Sequence, residues 1–221
     1  MLPESYATPL HLPFNSAAMA GFTLSHPFRS EVANGSLVIM RGTELVVARN
    51  ENGLFLPQGD LPSCLASERV EPIEIGTWQG MPCRALPLSR SAVLPQGWEG
   101  HNLLDPAPQI SVDLLSLGGV AGQILHWERS SRHCAFCGGQ TAWIDGEWGR
   151  KCLACEKERF PTISPCAIVL VRRPGEILLI RKAEWPEGRY SLAAGFLDFG
   201  ECLEEAAHRE VMEETGVTVE N

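Results

Sequence analysis

The sequence lacks any apolar run near the roughly 20 residues that a membrane-spanning helix needs. Its first residues, Met-Leu-Pro-Glu-Ser-Tyr, lack the basic start and apolar core of a secretory leader. Positive charge is scarce: 18 Lys and Arg stand against 27 Asp and Glu, a formal net charge of −9. That excludes a protein that grips nucleic acid by bulk electrostatics, a role that here needs a local basic patch. The six histidines include no pair at a metal-binding interval. The protein is therefore expected to be cytoplasmic, with no membrane partner. With 44% hydrophobic and 20% charged residues, its 221 residues read as one large or two modest globular domains.

Cysteine is not scarce. Eight cysteines in a chain without a leader point to metal before disulfides. Cys134-x-x-Cys137 and Cys152-x-x-Cys155 form two knuckles with fourteen residues between them. Each offers two thiolates, and two facing knuckles complete a tetrahedron with no open position, which is a structural zinc site. So short a segment has little core of its own, and the metal is expected to supply much of its folding free energy. Two disulfides or a redox dithiol are the rival readings, weaker against two matched knuckles. Cys64, Cys83, Cys166 and Cys202 stand alone and read as small apolar residues.

Residues 1–35 show no sustained period and read as an irregular lead-in. Short strand-like runs follow at 36–41, 44–49, 54–56, 71–79 and 83–88, punctuated by Gly, Pro and Asn, as in an antiparallel β-rich unit. A hairpin is expected at Trp78-Gln79-Gly80. Leu114, Leu117, Val120, Ala121, Ile124 and Leu125 recur at helical spacing, but Gly118-Gly119 interrupts, so a helix is expected only from about 119 to 130. Further strands are expected at 166–171, 177–181 and 190–193.

The last stretch carries the chemistry. Residues 201–215 contain no Pro or Gly, and Gly216 follows as a helix stop. Leu203, Ala206, Ala207 and Val211 mark a buried face. Glu210, Glu213 and Glu214 stand at i, i+3 and i+4 and place three carboxylates on one surface. Clustered hard oxygens suit Mg²⁺ or Mn²⁺. A solvated acidic helix face is the bland alternative, weakened by the glycine loop before it and by Arg209 beside it.

These residues resemble the Nudix box, G-x5-E-x7-R-E-U-x-E-E-x-G-U with U aliphatic: Gly195, Glu201, Arg209, Glu210, Val211, Glu213, Glu214, Gly216 and Val217 fill every specified position. The resemblance implies a hydrolase of nucleoside diphosphate derivatives. It makes Glu210, Glu213 and Glu214 metal ligands, adds the carbonyl of Ala194 or Gly195, and gives Glu201 a water-mediated or supporting place. A four-cysteine ribbon leading into this box, behind a β-rich unit, resembles the NADH pyrophosphatase family, whose bacterial members are also described as removing NAD caps from RNA 5′ ends. Leu56–Pro62 and the G-T-W-Q-G run at 76–80 also look like that family's N-terminal part.

By this resemblance Glu147 and Phe160 contact substrate. Phe160 replaces the usual tyrosine, and Gln58 stands where a lysine is common. The resemblance also implies a homodimer acting on NADH or NAD⁺. The expected fold is α+β: lead-in 1–35, N-terminal Nudix-like β-rich domain 36–130, zinc ribbon 131–160, and an incomplete α/β/α Nudix domain of mixed sheet plus box helix at 161–221. The family's S-Q-P-W-P-F-P-x-S segment and a further metal-binding glutamate would follow the box. A truncated form, weakly active or inactive by itself, is therefore expected. Two other functions stay open: a non-catalytic nucleotide- or RNA-binding module, and a Nudix hydrolase for another nucleoside diphosphate.

Overall fold

The computed structural model describes residues 17–28, 35–68, 71–105 and 107–220. The chain divides into two compact units, Met1–Pro161 and Thr162–Asn221. The fold is α+β, and no described helix is long and apolar enough to cross a membrane.

In the first unit, β1 (Phe22–Phe28), β2 (Ser36–Arg41), β3 (Glu44–Asn50), β4 (Gly53–Phe55), β5 (Ile73–Trp78), β6 (Met81–Leu88) and β7 (Trp98–Asn102) make one seven-stranded sheet. Its order is β1-β5-β6-β2-β3-β4, with β7 also on β3. The pairing is not purely antiparallel as expected, because β2 and β6 run parallel, Ser36 opposite Cys83 through Arg41 opposite Leu88. The expected hairpin is present: Gln79 and Gly80 both have positive φ, 50° and 78°, between β5 and β6. Both faces of the sheet are apolar, so alternate residues of a strand serve two cores. Val38, Met40, Leu45, Val47 and Ala85 face the helix α1 (Val112–Ser130), whose Leu114, Leu117 and Ala121 close that side. Leu37, Ile39, Val46, Leu86 and Leu88 face the other way, with Leu65 and Ala92.

Two expectations fail here. The lead-in was expected to be irregular, yet β1 lies within it and pairs with β5, Phe22 opposite Trp78. Within that stretch, 1–16 and 29–34 lie outside the described residues. The helix does not start near 119; it runs through Gly118-Gly119 from Val112. A side chain at Gly118 would meet Leu103 Cδ1 at 3.1 Å and Leu45 Cβ at 3.3 Å, so this glycine serves close helix-on-sheet packing.

The ribbon follows in the same unit, as a three-stranded sheet of β8 (Thr141–Trp143), β9 (Arg150–Cys152) and β10 (Glu158–Arg159), in the order β10-β9-β8. In the second unit β11 (Cys166–Val169) pairs antiparallel with β14 (Ala193–Phe196), and β12 (Arg172–Arg173) with β13 (Glu176–Ile177). The strand expected at 190–193 therefore sits a few residues later, and 177–181 is reduced to the end of β13 plus an isolated bridge from Ile180 to Ser191. Helix α2 (Leu203–Thr215) packs on β11 and β14. It buries Ala206 and Val211 fully, while Leu203 stays 53% exposed. Leu203 is the first helical residue.

Candidate functional site

Two groups of side chains invite chemistry, one in each unit. In the ribbon, the knuckles repeat one hydrogen-bond pattern. Gly138 N–H donates to the Cys134 carbonyl at 2.9 Å, and Glu156 N–H donates to the Cys152 carbonyl at 3.1 Å. Both residues after the second cysteine of each pair are left-handed, Gly138 at φ 75° and Glu156 at φ 60°. The four Sγ atoms all lie within 4.8 Å of one another. Three of the distances are 3.8 Å (Cys134–Cys155), 3.5 Å (Cys137–Cys152) and 3.4 Å (Cys137–Cys155). A tetrahedron with Zn–S near 2.3 Å has sulfurs about 3.8 Å apart, so the quartet fits such an ion. The amides of Cys155 and Ala154 point at Cys152 Sγ, each at 3.4 Å, and hold that thiol down at about 6. A metal ligand has to be a thiolate, which such donors favour. Among the described residues this quartet is the one group of three or more Cys, His, Asp or Glu gathered to hold a metal.

The ribbon is fastened to the end of α1. Thr141 Oγ1 donates to the Ser131 carbonyl at 2.7 Å, and Arg150, nearly buried, donates to Thr141 Oγ1 at 2.8 Å. Trp143 lies between Trp127 (5.3 Å) and Trp148 (5.8 Å), with the Arg150 guanidinium 4.8 Å from its ring centre. Trp148 Nε1–H donates to the Ser25 carbonyl at 2.9 Å. The stacking order depends on contacts that no local sequence pattern carries. Of the expected substrate contacts, Glu147 sits in the turn between β8 and β9, and Phe160 follows β10. The Phe160 ring rests on Gly149, where an added Cβ would meet it at 2.7 Å. Gln58 is exposed and forms an isolated bridge with Ser36, the first residue of β2.

In the second unit Arg209 is the hub. Its Nε donates to Glu201 Oε1 at 2.7 Å and its Nη2 to Glu201 Oε2 at 2.9 Å, a bidentate fork. Nη1 donates to Glu210 at 2.8 Å and reaches Glu213 at 3.5 Å; Nη2 also donates to the Phe196 carbonyl at 2.9 Å. The Arg209 fork, joined by the Asp198 amide at 2.8 Å, holds the Glu201 carboxyl down to about 2. The same carboxylates push the guanidinium higher still. The loop between β14 and α2 is thereby closed on itself, with Gly200 supplying the left-handed turn at φ 87°. Helix α2 opens with the Glu205 carboxylate accepting the Cys202 N–H at 2.8 Å and ends at Gly216, left-handed at φ 72°.

Glu214 leaves the Arg209 group and accepts the Ala194 N–H of β14 at 3.2 Å. Glu210 lies directly over Gly195: a Cβ there would fall 2.0 Å from its carboxylate oxygen. So the fold brings Glu201, Arg209, Glu210 and Glu213 into one network, sets Glu214 beside Ala194, and does not draw the three glutamates of α2 into a closed cage. Their all-oxygen chemistry and their common helix face fit Mg²⁺ or Mn²⁺. The Gly195–Glu210 contact and the Phe196 carbonyl went unseen in the sequence; the only trace of the first is that position 195 is a glycine.

Residues 34–127 match the family model of the NADH pyrophosphatase-like rudimentary NUDIX domain, and residues 162–221 match that of the NUDIX domain. Over 183 residues the chain is 34% identical to proteins called NAD-capped RNA hydrolase NudC, from Escherichia coli O1:K1 / APEC and from Escherichia coli O45:K1 (strain S88 / ExPEC). That similarity covers 79% of this chain and 67% of each relative.

Proposed function

Because the chain belongs to the Nudix family, in the group with an NADH pyrophosphatase-like rudimentary domain ahead of the second Nudix domain, we propose that it hydrolyses the diphosphate bond of NADH or NAD⁺ to AMP and nicotinamide mononucleotide, and that it also takes NAD caps on RNA 5′ ends. The observation that carries this reading is the Arg209 hub, which fixes Glu201 and Glu210 against β14 while leaving Glu213 and Glu214 on the exposed side of α2. Hydrolysis of a diphosphate is mainly a matter of positioning and charge neutralisation. In this reading Glu210, Glu213, Glu214 and the Ala194 carbonyl hold Mg²⁺ or Mn²⁺, which when bound neutralises diphosphate oxygens and acidifies water. Glu201 keeps Arg209 in place, and Arg209 keeps Glu210 aimed. Glu147 and Phe160 contact the dinucleotide, and the four cysteines hold one Zn²⁺ per chain. The protein works in the cytoplasm as a homodimer, an arrangement that rests on the family resemblance.

The test is product analysis with NADH, NAD⁺ and NAD-capped RNA in Mn²⁺, run on the wild type beside its Glu214→Gln variant. AMP and the mononucleotide are expected, and the variant is expected to lose turnover while keeping its fold. NADH binding without cleavage by the wild type selects a non-catalytic module. Cleavage of some other nucleoside diphosphate, but of none of these three, selects a different Nudix substrate.

A further inference from the structure

The charge deficit of the whole chain is reversed at one place in the first unit. A cleft of about 1110 Å³ opens between α1, the ends of β2, β5 and β6, and the ribbon. Among the described residues four guanidinium groups line it, Arg90, Arg129, Arg132 and Arg150, with the imidazoles of His126 and His133, and the only carboxylates are those of Glu71 and Glu128. Its formal balance is therefore +2 in a chain of −9. Glu128 is already engaged: Arg132 Nη2 donates to it at 2.8 Å, and Arg150 Nη1 stands 3.7 Å away. Among the described residues no carboxylate pairs with Arg90 or Arg129, and both are exposed. Arg90 lies across Gly42, and Gly122 faces the cleft from α1, so two walls are kept low where side chains would fill the space.

Cations collect at helix C-termini to offset the helix dipole, which accounts for Arg129 and Arg132. It does not account for Arg90, which comes from the turn after β6, or for Arg150, which comes from β9. Convergence of guanidinium groups from three separate elements on one hollow is the pattern of an oxyanion site. The hollow exceeds the roughly 300–1,000 Å³ of ordinary small-molecule pockets, so an extended polyanion suits it better than a compact one. We propose that this cleft is a phosphate-binding site that takes the backbone of single-stranded nucleic acid. It does not depend on what the second unit cleaves.

A free polyphosphate offers the same chemistry, so the experiment has two arms. A fluorescently labelled single-stranded RNA with a 5′-hydroxyl is titrated by anisotropy over a range of salt, and tripolyphosphate is titrated by calorimetry. The wild type is compared with the double variant Arg90→Glu/Arg129→Glu and with Arg172→Glu, a single reversal of charge on the other unit. Circular dichroism and zinc content check each fold. The double variant is expected to bind RNA at least about tenfold more weakly and to lose about 1 to 1.4 from the slope of log affinity against log salt, while Arg172→Glu matches the wild type. Tripolyphosphate binding that the double variant loses, with no RNA binding by the wild type, keeps the phosphate site and overturns its nucleic-acid occupant. Equal affinity of wild type and double variant for both probes overturns the proposal, as does a wild type that binds neither. The RNA carries no diphosphate to cleave, so failure here leaves the hydrolase reading untouched, and loss of hydrolysis leaves this one untouched.

Discussion

Gly195 carries no side chain because the Glu210 carboxylate occupies the place where one would go. A Cβ would come within 2.0 Å of Glu210 Oε1. The atom in the way is the far end of a flexible side chain, so the fold can yield by moving the carboxylate. Gly195→Ala should therefore leave the melting temperature near that of the wild type and break the Arg209–Glu210 bond, now 2.8 Å. Metal-dependent diphosphate cleavage should fall by at least about a hundredfold, the scale of a misplaced catalytic group; unchanged turnover would show that the position of Glu210 does not matter. Glu156 is the converse case, a side chain where glycine belongs. It takes φ 60° at the knuckle position that Gly138 fills in the first pair. The left-handed region costs a non-glycine residue about 1–2 kcal/mol, and glycine gives back about 0.5–1 in chain entropy. Glu156→Gly should thus stabilise the ribbon by roughly 0.5–1 kcal/mol, read as a higher denaturation midpoint; a lower midpoint would mean that the Glu156 side chain has a stabilising contact. At this scale the sequence was most legible. Four cysteines and the acidic trio could be named from spacing, and the nine box positions from a family resemblance, but Gly195 and Glu156 acquire their reasons only from neighbours across the fold.

Helix α2 is legible as an element because its stop and its apolar spacing are local, whereas the elements that were misread depend on distant partners. β1 contains Pro27, a residue that disfavours strand, but the strand lies at the sheet edge, where a missing N–H costs little. β7, Trp-Glu-Gly-His-Asn, has little strand character and is held by pairing on β3, with Gly100 under Arg41 and Glu44. α1 passes through two glycines, and at Gly118 the sheet needs the close approach that a glycine allows. What ties α2 to the loop before it is the Glu201–Arg209 fork, and this has a pH signature. The Arg209 hydrogen bonds lower the Glu201 carboxyl from an ordinary 4.5 to about 2. A carboxyl that is more acidic in the folded state adds stability above its unfolded value and loses it as pH falls through the folded one. Its contribution should be whole above about pH 4.5 and gone below about pH 2. Urea midpoints of the wild type should exceed those of Glu201→Gln at neutral pH, converge across that window and meet at its acid end. A gap that persists below it would place the stabilisation elsewhere.

For the molecule as a whole, the informative division is that the ribbon belongs with the N-terminal sheet, in the unit that ends at Pro161. Its own strands are two or three residues long, and Cys152 is its one fully buried apolar residue. So little apolar burial cannot hold an independent fold, whereas a four-thiolate zinc supplies on the order of 10–16 kcal/mol in isolated peptides. The ribbon in turn caps α1 through Thr141 on Ser131 and sends Trp148 against the N-terminal core, its indole N–H on Ser25. Removing the metal should therefore propagate a short distance and then stop. In hydrogen exchange after chelation, or in Cys152→Ser, residues 132–160 should lose protection, and so should the last turn of α1 near Trp127. The buried strands β2, β3 and β6 should keep theirs, because their cores are closed by Leu114, Leu117 and Ala121 on one side and by Leu65 and Ala92 on the other. α2 should not respond, since its hydrogen bonds run to the Arg209 loop and β14. Trp143 adds a second readout: once it is no longer held between Trp127 and Trp148, its near-ultraviolet dichroism should collapse. Unchanged protection of the ribbon after complete loss of zinc would mean that hydrogen bonds and the tryptophan stack hold it without the metal, and the folding role given to the cysteines would have to be withdrawn.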